Sequence, residues 1–203
     1  DYIDVCGLDS KIADIKNCVT TYTKSWSKYQ LENGGFPYWP GGSYPSLYVS
    51  IRMANIYNLA LERGYTAADL GYNNKKLLDY IEHEIRDADR DPARASYNDY
   101  IKACAALVLA KSNPPYALIL LDELYRHYSD LNLSTKALLG LGYLSIPGYA
   151  SKVKTLADDI RSYLQIDGRS VTVLRKTGSD MWEWYNSDSE QMALILQLFA
   201  EVD

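Results

Sequence analysis

The sequence predicts an all-α fold, and three observations carry that expectation. Apolar side chains recur at three- and four-residue steps through most of the chain, the spacing of one buried helical face. Clusters of proline, glycine and asparagine break those stretches at short intervals. One stretch near the C-terminus differs, with the β-branched character of strands.

The first stripe covers residues 10–30, with Ile12, Ile15, Val19, Tyr22, Trp26 and Tyr29 on one face. A glycine-rich loop ends it. Pro45 then sits where a helix can begin, and Leu47, Ile51, Ala54, Tyr57 and Leu61 form a second stripe that stops at Gly64. Thr66-Ala-Ala-Asp69 has the form of a capping box and opens a short turn. Leu77, Leu78, Ile81 and Ile85 mark a helix over 73–90. A charged link broken by Pro92 follows, with Asp87, Asp89, Arg90, Asp91 and Arg94.

Residues 97–110 are the most apolar helical stretch. Ile101, Cys104, Ala105, Leu107, Val108 and Leu109 cover most of its circumference, which predicts burial on most sides. Asn113-Pro-Pro115 separates it from a helix over 116–128. Another helix covers 131–144 and ends before Ile146-Pro-Gly148. The next covers 152–165, with Val153, Leu156, Ile160, Tyr163 and Leu164 on one face. Residues 169–185 read as a hairpin in which Val171, Val173, Met181, Trp182 and Trp184 flank Lys176-Thr-Gly-Ser-Asp180. Ser187-Asp-Ser-Glu190 caps the last helix, which carries Met192, Leu194, Ile195 and Leu198.

Consecutive helices joined by short turns are antiparallel neighbours. Pairs of that kind stack as an open solenoid or close into a ring. The all-round apolarity of 97–110 favours a ring with an inner and an outer layer. The expected architecture is an α/α toroid, or a large arc of one, with a small β-hairpin before the last helix.

The length, 203 residues, fits a single helical domain with a sizeable core. A formal net charge of -5 and the lack of a long basic run argue against nucleic acid or an anionic membrane as main partner. No apolar run reaches the length of a bilayer span. The opening Asp1-Tyr-Ile-Asp has no Met, basic region or apolar core, so we expect a domain excised from a larger polypeptide. Cys6, Cys18 and Cys104 are odd in number and lack metal-knuckle spacing. The 19 Tyr against 2 Phe read as habitual use of Tyr where Phe or Leu would serve.

The most distinctive stretch is Gln30-Leu-Glu-Asn-Gly-Gly-Phe-Pro-Tyr-Trp-Pro-Gly-Gly42. Gly34, Gly35, Gly41 and Gly42 supply backbone freedom, while Phe36, Tyr38 and Trp39 are large rings that seek contact. Gln30, at a helix end, can bond free carbonyls or the loop backbone. The rings read first as plugs between helix pairs and second as an interdomain surface, together with Trp182 and Trp184.

Gln30-x-x-x-Gly34-Gly35-Phe36 resembles the helix-to-loop junction of α/α-toroid proteins, of which terpene cyclases and protein prenyltransferases carry related repeats. The longer string from Tyr29 to Gly42, followed by a helix from Tyr48 ending Glu62-Arg63-Gly64-Tyr65, is similar to the thioester domain of bacterial alpha-2-macroglobulin-like proteins. Trp182-x-Trp184 and the capped helix from Ser187 to Gln197 look like the final helix of that family. The resemblance implies a role in trapping or inhibiting foreign proteases, in the periplasm or at the cell surface. The implied partners are target proteases and other domains of the same polypeptide; no cofactor is implied.

The family's internal thioester joins the Cys and Gln of Cys-x-Glu-Gln. This chain lacks that motif: Cys6 precedes Gly-Leu-Asp, Cys18 precedes Val-Thr-Thr, and Cys104 precedes Ala-Ala-Leu. No thioester residue carries over, so the expectation is a scaffold and docking role without catalysis.

Two alternatives stay open. An (α/α)-barrel carbohydrate enzyme needs paired acids, for which Asp180, Glu183, Asp188 and Glu190 are candidates, with Trp39, Trp182 and Trp184 as sugar platforms. A helical-repeat binding module needs only a recognition face. Helix capping accounts for Glu190 and packing for the Trp residues. His83, between Glu82 and Glu84, fits a solvated helix face, and His127 fits a helix end. Asp87, Asp89 and Asp91 lack the spacing and glycine of a calcium loop.

Overall fold

A computed structural model describes residues 9–90, 98–168, 170–173 and 187–202. It is mostly helical, with one two-stranded hairpin among the described residues. The chain divides into two compact units, 1–84 and 85–203.

The first unit holds α1 (Asp9–Lys24), a 3-10 turn (Ser25–Tyr29), α2 (Leu47–Glu62), α3 (Ala67–Leu70) and the first part of α4 (Asn74–Arg90). The continuous helix expected over 10–30 changes to 3-10 geometry at Ser25. There the hydroxyls of Ser25 and Ser27 donate back to the carbonyls of Tyr22 and Lys24 at 2.7 and 3.2 Å, in competition with the helical ladder. Helix α2 begins after Ser46, whose hydroxyl accepts from the Val49 N–H, so Pro45 precedes the cap instead of opening the helix. It closes at Gly64 (φ +83), where the N–H groups of Gly64 and Tyr65 return to the carbonyls of Leu61 and Ala60. Thr66 and Asp69 form the expected capping box on α3.

An aromatic cluster joins the aliphatic core of this unit. Tyr72 sits among Trp26, Phe36 and Tyr57, with ring centroids 6.4, 5.3 and 5.6 Å away. Its hydroxyl donates to the Met53 carbonyl at 2.7 Å. Burial, then the neighbouring Tyr57, pushes its pKa well above the ordinary tyrosine value.

The second unit holds the end of α4, then α5 (Asp99–Leu109), α6 (Pro114–Tyr125), a 3-10 turn (Tyr128–Asp130), α7 (Leu133–Leu144), α8 (Ala150–Arg161), β1 (Leu164–Asp167), β2 (Ser170–Val173) and α9 (Asp188–Val202). Asn98, Asn113 and Asn132 cap α5, α6 and α7, each accepting from the N–H three residues on. Helix α7 packs against α5, α6, α8 and α9.

Helix α5 is buried on most sides, as its apolar circumference predicts, and α7 is more enclosed still: every residue from Leu133 to Tyr143 is buried. Two glycines admit its neighbours. A Cβ at Gly140 would stand 2.7 Å from Leu198 of α9, and one at Gly142 would stand 2.8 Å from Leu121 of α6. The ammonium of Lys136, fully buried on α7, reaches Asp159 of α8 at 2.6 Å and lies 4.8 Å from the Tyr163 ring centre. Lys102 of α5 bonds Asp89 at 2.9 Å and Glu123 at 3.0 Å. Burial opposes its charge, but the two carboxylates outweigh that and raise its pKa.

The described residues show a small hairpin near the C-terminus, formed upstream of the link expected at 176–180. Ser170–Val173 pairs with the preceding Leu164–Asp167, in the register Leu164↔Val173 to Asp167↔Ser170. The helix expected to reach residue 165 ends at Arg161. Gly168, at φ +56, supplies the positive backbone angle that a tight connection demands. Lys176 to Asp180, Met181, Trp182 and Trp184 lie outside the described residues.

Candidate functional site

The stretch from Gln30 to Pro45 forms a finger with a clamped base and a rigid tip. At the base, the Gln30 side-chain amide donates to the carbonyls of Gly34 (2.9 Å) and Asn73 (2.8 Å) and accepts from the Asn73 N–H (2.9 Å). Asn73 in turn accepts from the Lys76 N–H at the start of α4. One glutamine side chain therefore ties the loop to the entry of α4.

Gly34 adopts φ +95, and a Cβ there would stand 2.1 Å from the Lys76 carbonyl oxygen. A Cβ at Gly35 would stand 2.7 Å from Pro45 and 2.8 Å from the Tyr80 ring. Only glycine fits either position. Phe36 is the plug the sequence suggests, at 3% exposure, with its N–H donating to Ser50 Oγ at 2.9 Å and its carbonyl accepting from Ser46 at 2.7 Å.

Beyond Phe36 the finger projects. Pro37 and Pro45 form an antiparallel bridge across its neck. At the tip the Gly42 N–H donates to the Trp39 carbonyl at 2.9 Å, enclosing Pro40 and Gly41 (φ +84). Proline then glycine at the centre of such a turn is the type II pattern.

Tyr38 and Trp39 meet edge to face at 5.0 Å. They are not plugs: Tyr38 is 56%, Trp39 72% and Tyr44 86% exposed. The segment 33–51 contains no charged residue. The finger thus offers three rings on a neutral, rigid support, an arrangement that lowers the entropic cost of docking.

Other candidates are placed as follows. His83 is exposed, and Nε2 of His127 lies 3.3 Å from Asp99 Oδ2. Asp188 is exposed in the first turn of α9, and Glu190 accepts from the Tyr100 hydroxyl at 3.2 Å. The Glu190 N–H donates to Ser187 Oγ. Cys18 is exposed, and Cys104 is partly buried. Among the described residues no group of three or more His, Cys, Asp or Glu is arranged to hold a metal. Asp91, Asp180, Glu183, Trp182, Trp184 and Cys6 lie outside the described residues.

Sequence reasoning missed two parts of the finger. Tyr44 follows the second glycine pair, and its exposure has no sequence signal beyond its proline neighbour. Ser50 sits inside an apolar stripe, and only the fold reveals its bond to Phe36.

Comparison with protein-family models, with curated proteins and with solved structures finds no match for this chain. What the fold and finger define is a helical domain that displays aromatic rings.

Proposed function

We propose that this chain is a non-catalytic helical docking scaffold, in the role that a thioester-type domain plays in an alpha-2-macroglobulin-like, protease-trapping polypeptide. The finger of Tyr38, Trp39 and Tyr44 seats on a neighbouring domain of that polypeptide. The observation that carries this reading is the combination of high ring exposure with a backbone locked at base and tip. Rings left in water on a rigid mount gain free energy only when a partner covers them.

The order of the second unit supports an α/α-toroid arc as part of the proposal. There α7 touches α5 and α9, each two helices away, and is also backed by its neighbours α6 and α8. That alternation is what an inner row (α5, α7, α9) and an outer row (α6, α8) would produce. A periplasmic or cell-surface setting belongs to the same proposal and rests on the sequence resemblance.

The test uses the polypeptide that carries this chain. Incubated with a protease, it should abolish cleavage of a large protein substrate while leaving cleavage of a small peptide intact. The pair Trp39→Ala and Tyr44→Ala should weaken that protection at unchanged helical content. Full cleavage of the large substrate in the presence of the parent polypeptide would overturn the trapping role.

A further inference from the structure

The second unit contains an aromatic box built around a cation. Nζ of Lys152, in the first turn of α8, lies 4.9 Å from the ring centres of Tyr125 and Tyr143 and 5.5 Å from that of Tyr149. Tyr125 stands at the end of α6, Tyr143 near the end of α7, and Tyr149 just before α8. Tyr125 stacks on Tyr128 at 5.1 Å, and Tyr143 stacks on Tyr149 at 5.2 Å, so the walls are themselves braced. The fourth side is Asp122, whose Oδ1 accepts from Lys152 at 2.6 Å and from the Tyr143 hydroxyl at 2.5 Å.

A primary ammonium carries three N–H donors. Here Lys152 donates to Asp122 and, at 3.3 Å, to the Tyr143 oxygen, so Tyr143 meets it at the hydroxyl end of its ring; the rings of Tyr125 and Tyr149 lie on its other sides. Ring faces suit a cation that has no N–H to satisfy and sheds water cheaply. The mouth is open: the Lys152 side chain is 29% and Asp122 43% exposed. The flexible lysine stem can therefore swing into water without disturbing the walls.

We infer that this box is a binding site for a trimethylammonium group, held closed by the chain's own Lys152 as a tethered competitor. A ligand of that class replaces the lysine head, places its methyl groups on Tyr125 and Tyr149 beside the Tyr143 hydroxyl, and takes Asp122 as counter-ion. Because the lysine occupies the box most of the time, the affinity of the native chain is reduced by the fraction of open molecules. The inference is independent of the finger and of protease trapping.

The experiment is a titration of the whole chain with tetramethylammonium, read by two-dimensional NMR of the tyrosine rings. Lys152→Ala should show saturable binding at least ~10-fold tighter than the parent chain. Tyr149→Ala added to Lys152→Ala should abolish it, with thermal unfolding of each variant as the control for folding. In the parent chain the ε-methylene protons of Lys152, shifted upfield by the Tyr125 and Tyr149 rings, should move toward free-lysine values as ligand is added. That readout needs no variant. Choline and a peptide bearing trimethyl-lysine, run in parallel, distinguish a small metabolite from a modified protein as the source of the group. Linear, unsaturable shifts in both the parent chain and Lys152→Ala would overturn the site. Equal affinity of the two would overturn the tethered lid.

Discussion

The finger and the lysine box are both built from aromatic rings, yet they treat those rings in opposite ways. In the box the rings pack on one another and around a charge: Tyr143 stacks on Tyr149, Lys152 lies beside Tyr125 and Tyr149, and the Tyr143 hydroxyl holds Asp122. In the finger the backbone is tied at its base and by one turn at its tip while Tyr38, Trp39 and Tyr44 stay in water. The box packs its rings inside the molecule, and the finger leaves them in water. Ring content alone is therefore a poor guide to function; what the backbone does around the rings separates the two cases.

The largest expected effect sharpens the structural half of that contrast. Gly34→Val places a Cβ into the Lys76 carbonyl at a backbone angle that favours glycine. It should cost about 3 kcal/mol of stability in urea unfolding. A change under about 0.5 kcal/mol would show that the base is not constrained.

Tyr143→Phe comes next. It removes a hydrogen bond to a charged group and should cost about 2 kcal/mol. Tyr44→Phe, on the exposed finger, should stay within about 0.5 kcal/mol. Chemical denaturation of the two variants side by side would break the comparison if their costs were equal.

A smaller effect appears in acid. Burial works against the Asp122 carboxylate, but hydrogen bonds from Lys152 and Tyr143 outweigh it and hold its pKa below the ordinary value. A lowered folded-state pKa contributes stability above the unfolded carboxylate pKa of about 3.9. That contribution is lost as pH falls through the lower folded value. The half-exposed setting limits it to less than about 1 kcal/mol. The advantage of the parent chain over Asp122→Asn should thus be constant above about pH 5 and shrink below about pH 4. An advantage that grows on acidification would contradict the assigned bonding.

Much of the helical order was legible because its boundaries are local chemistry. Asn113 with its two prolines, Thr66 with Asp69, and Gly64 mark ends that the structure shows, while Asn98 and Asn132 cap helices that the apolar stripes alone start two residues early. What escaped depends on tertiary contact. The burial of 97–110 followed from its apolar circumference, but the still fuller enclosure of α7 did not, since it depends on Gly140 and Gly142 letting two helices approach. Leu164 sits four residues after Ile160 and so extends a helical stripe on paper; it also alternates with Ile166, and pairing with Val173 decides for the strand.

The candidate site was half legible. Gln30, Gly34, Gly35 and Phe36 read as a structural junction, and their bonds and close approaches are local enough to follow from residue type. The exposure of Tyr38 and Trp39 was not legible, since a large ring in a glycine loop serves equally as plug or as display. The tyrosine excess also had a meaning that composition hides. The hydroxyls of Tyr72, Tyr100 and Tyr143 bond Met53, Glu190 and Asp122, so Phe could not replace them without leaving those partners short of a donor.

The central claim is that the finger is built to be covered by a partner domain. Hydroxyl-radical footprinting with mass spectrometry tests it most directly, comparing Trp39 and Tyr44 in this chain alone and within the polypeptide that carries it. The account predicts rapid oxidation of both rings in the chain alone and several-fold protection in the polypeptide, with Tyr143 unreactive in both. Equal oxidation of Trp39 and Tyr44 in the two forms would contradict it.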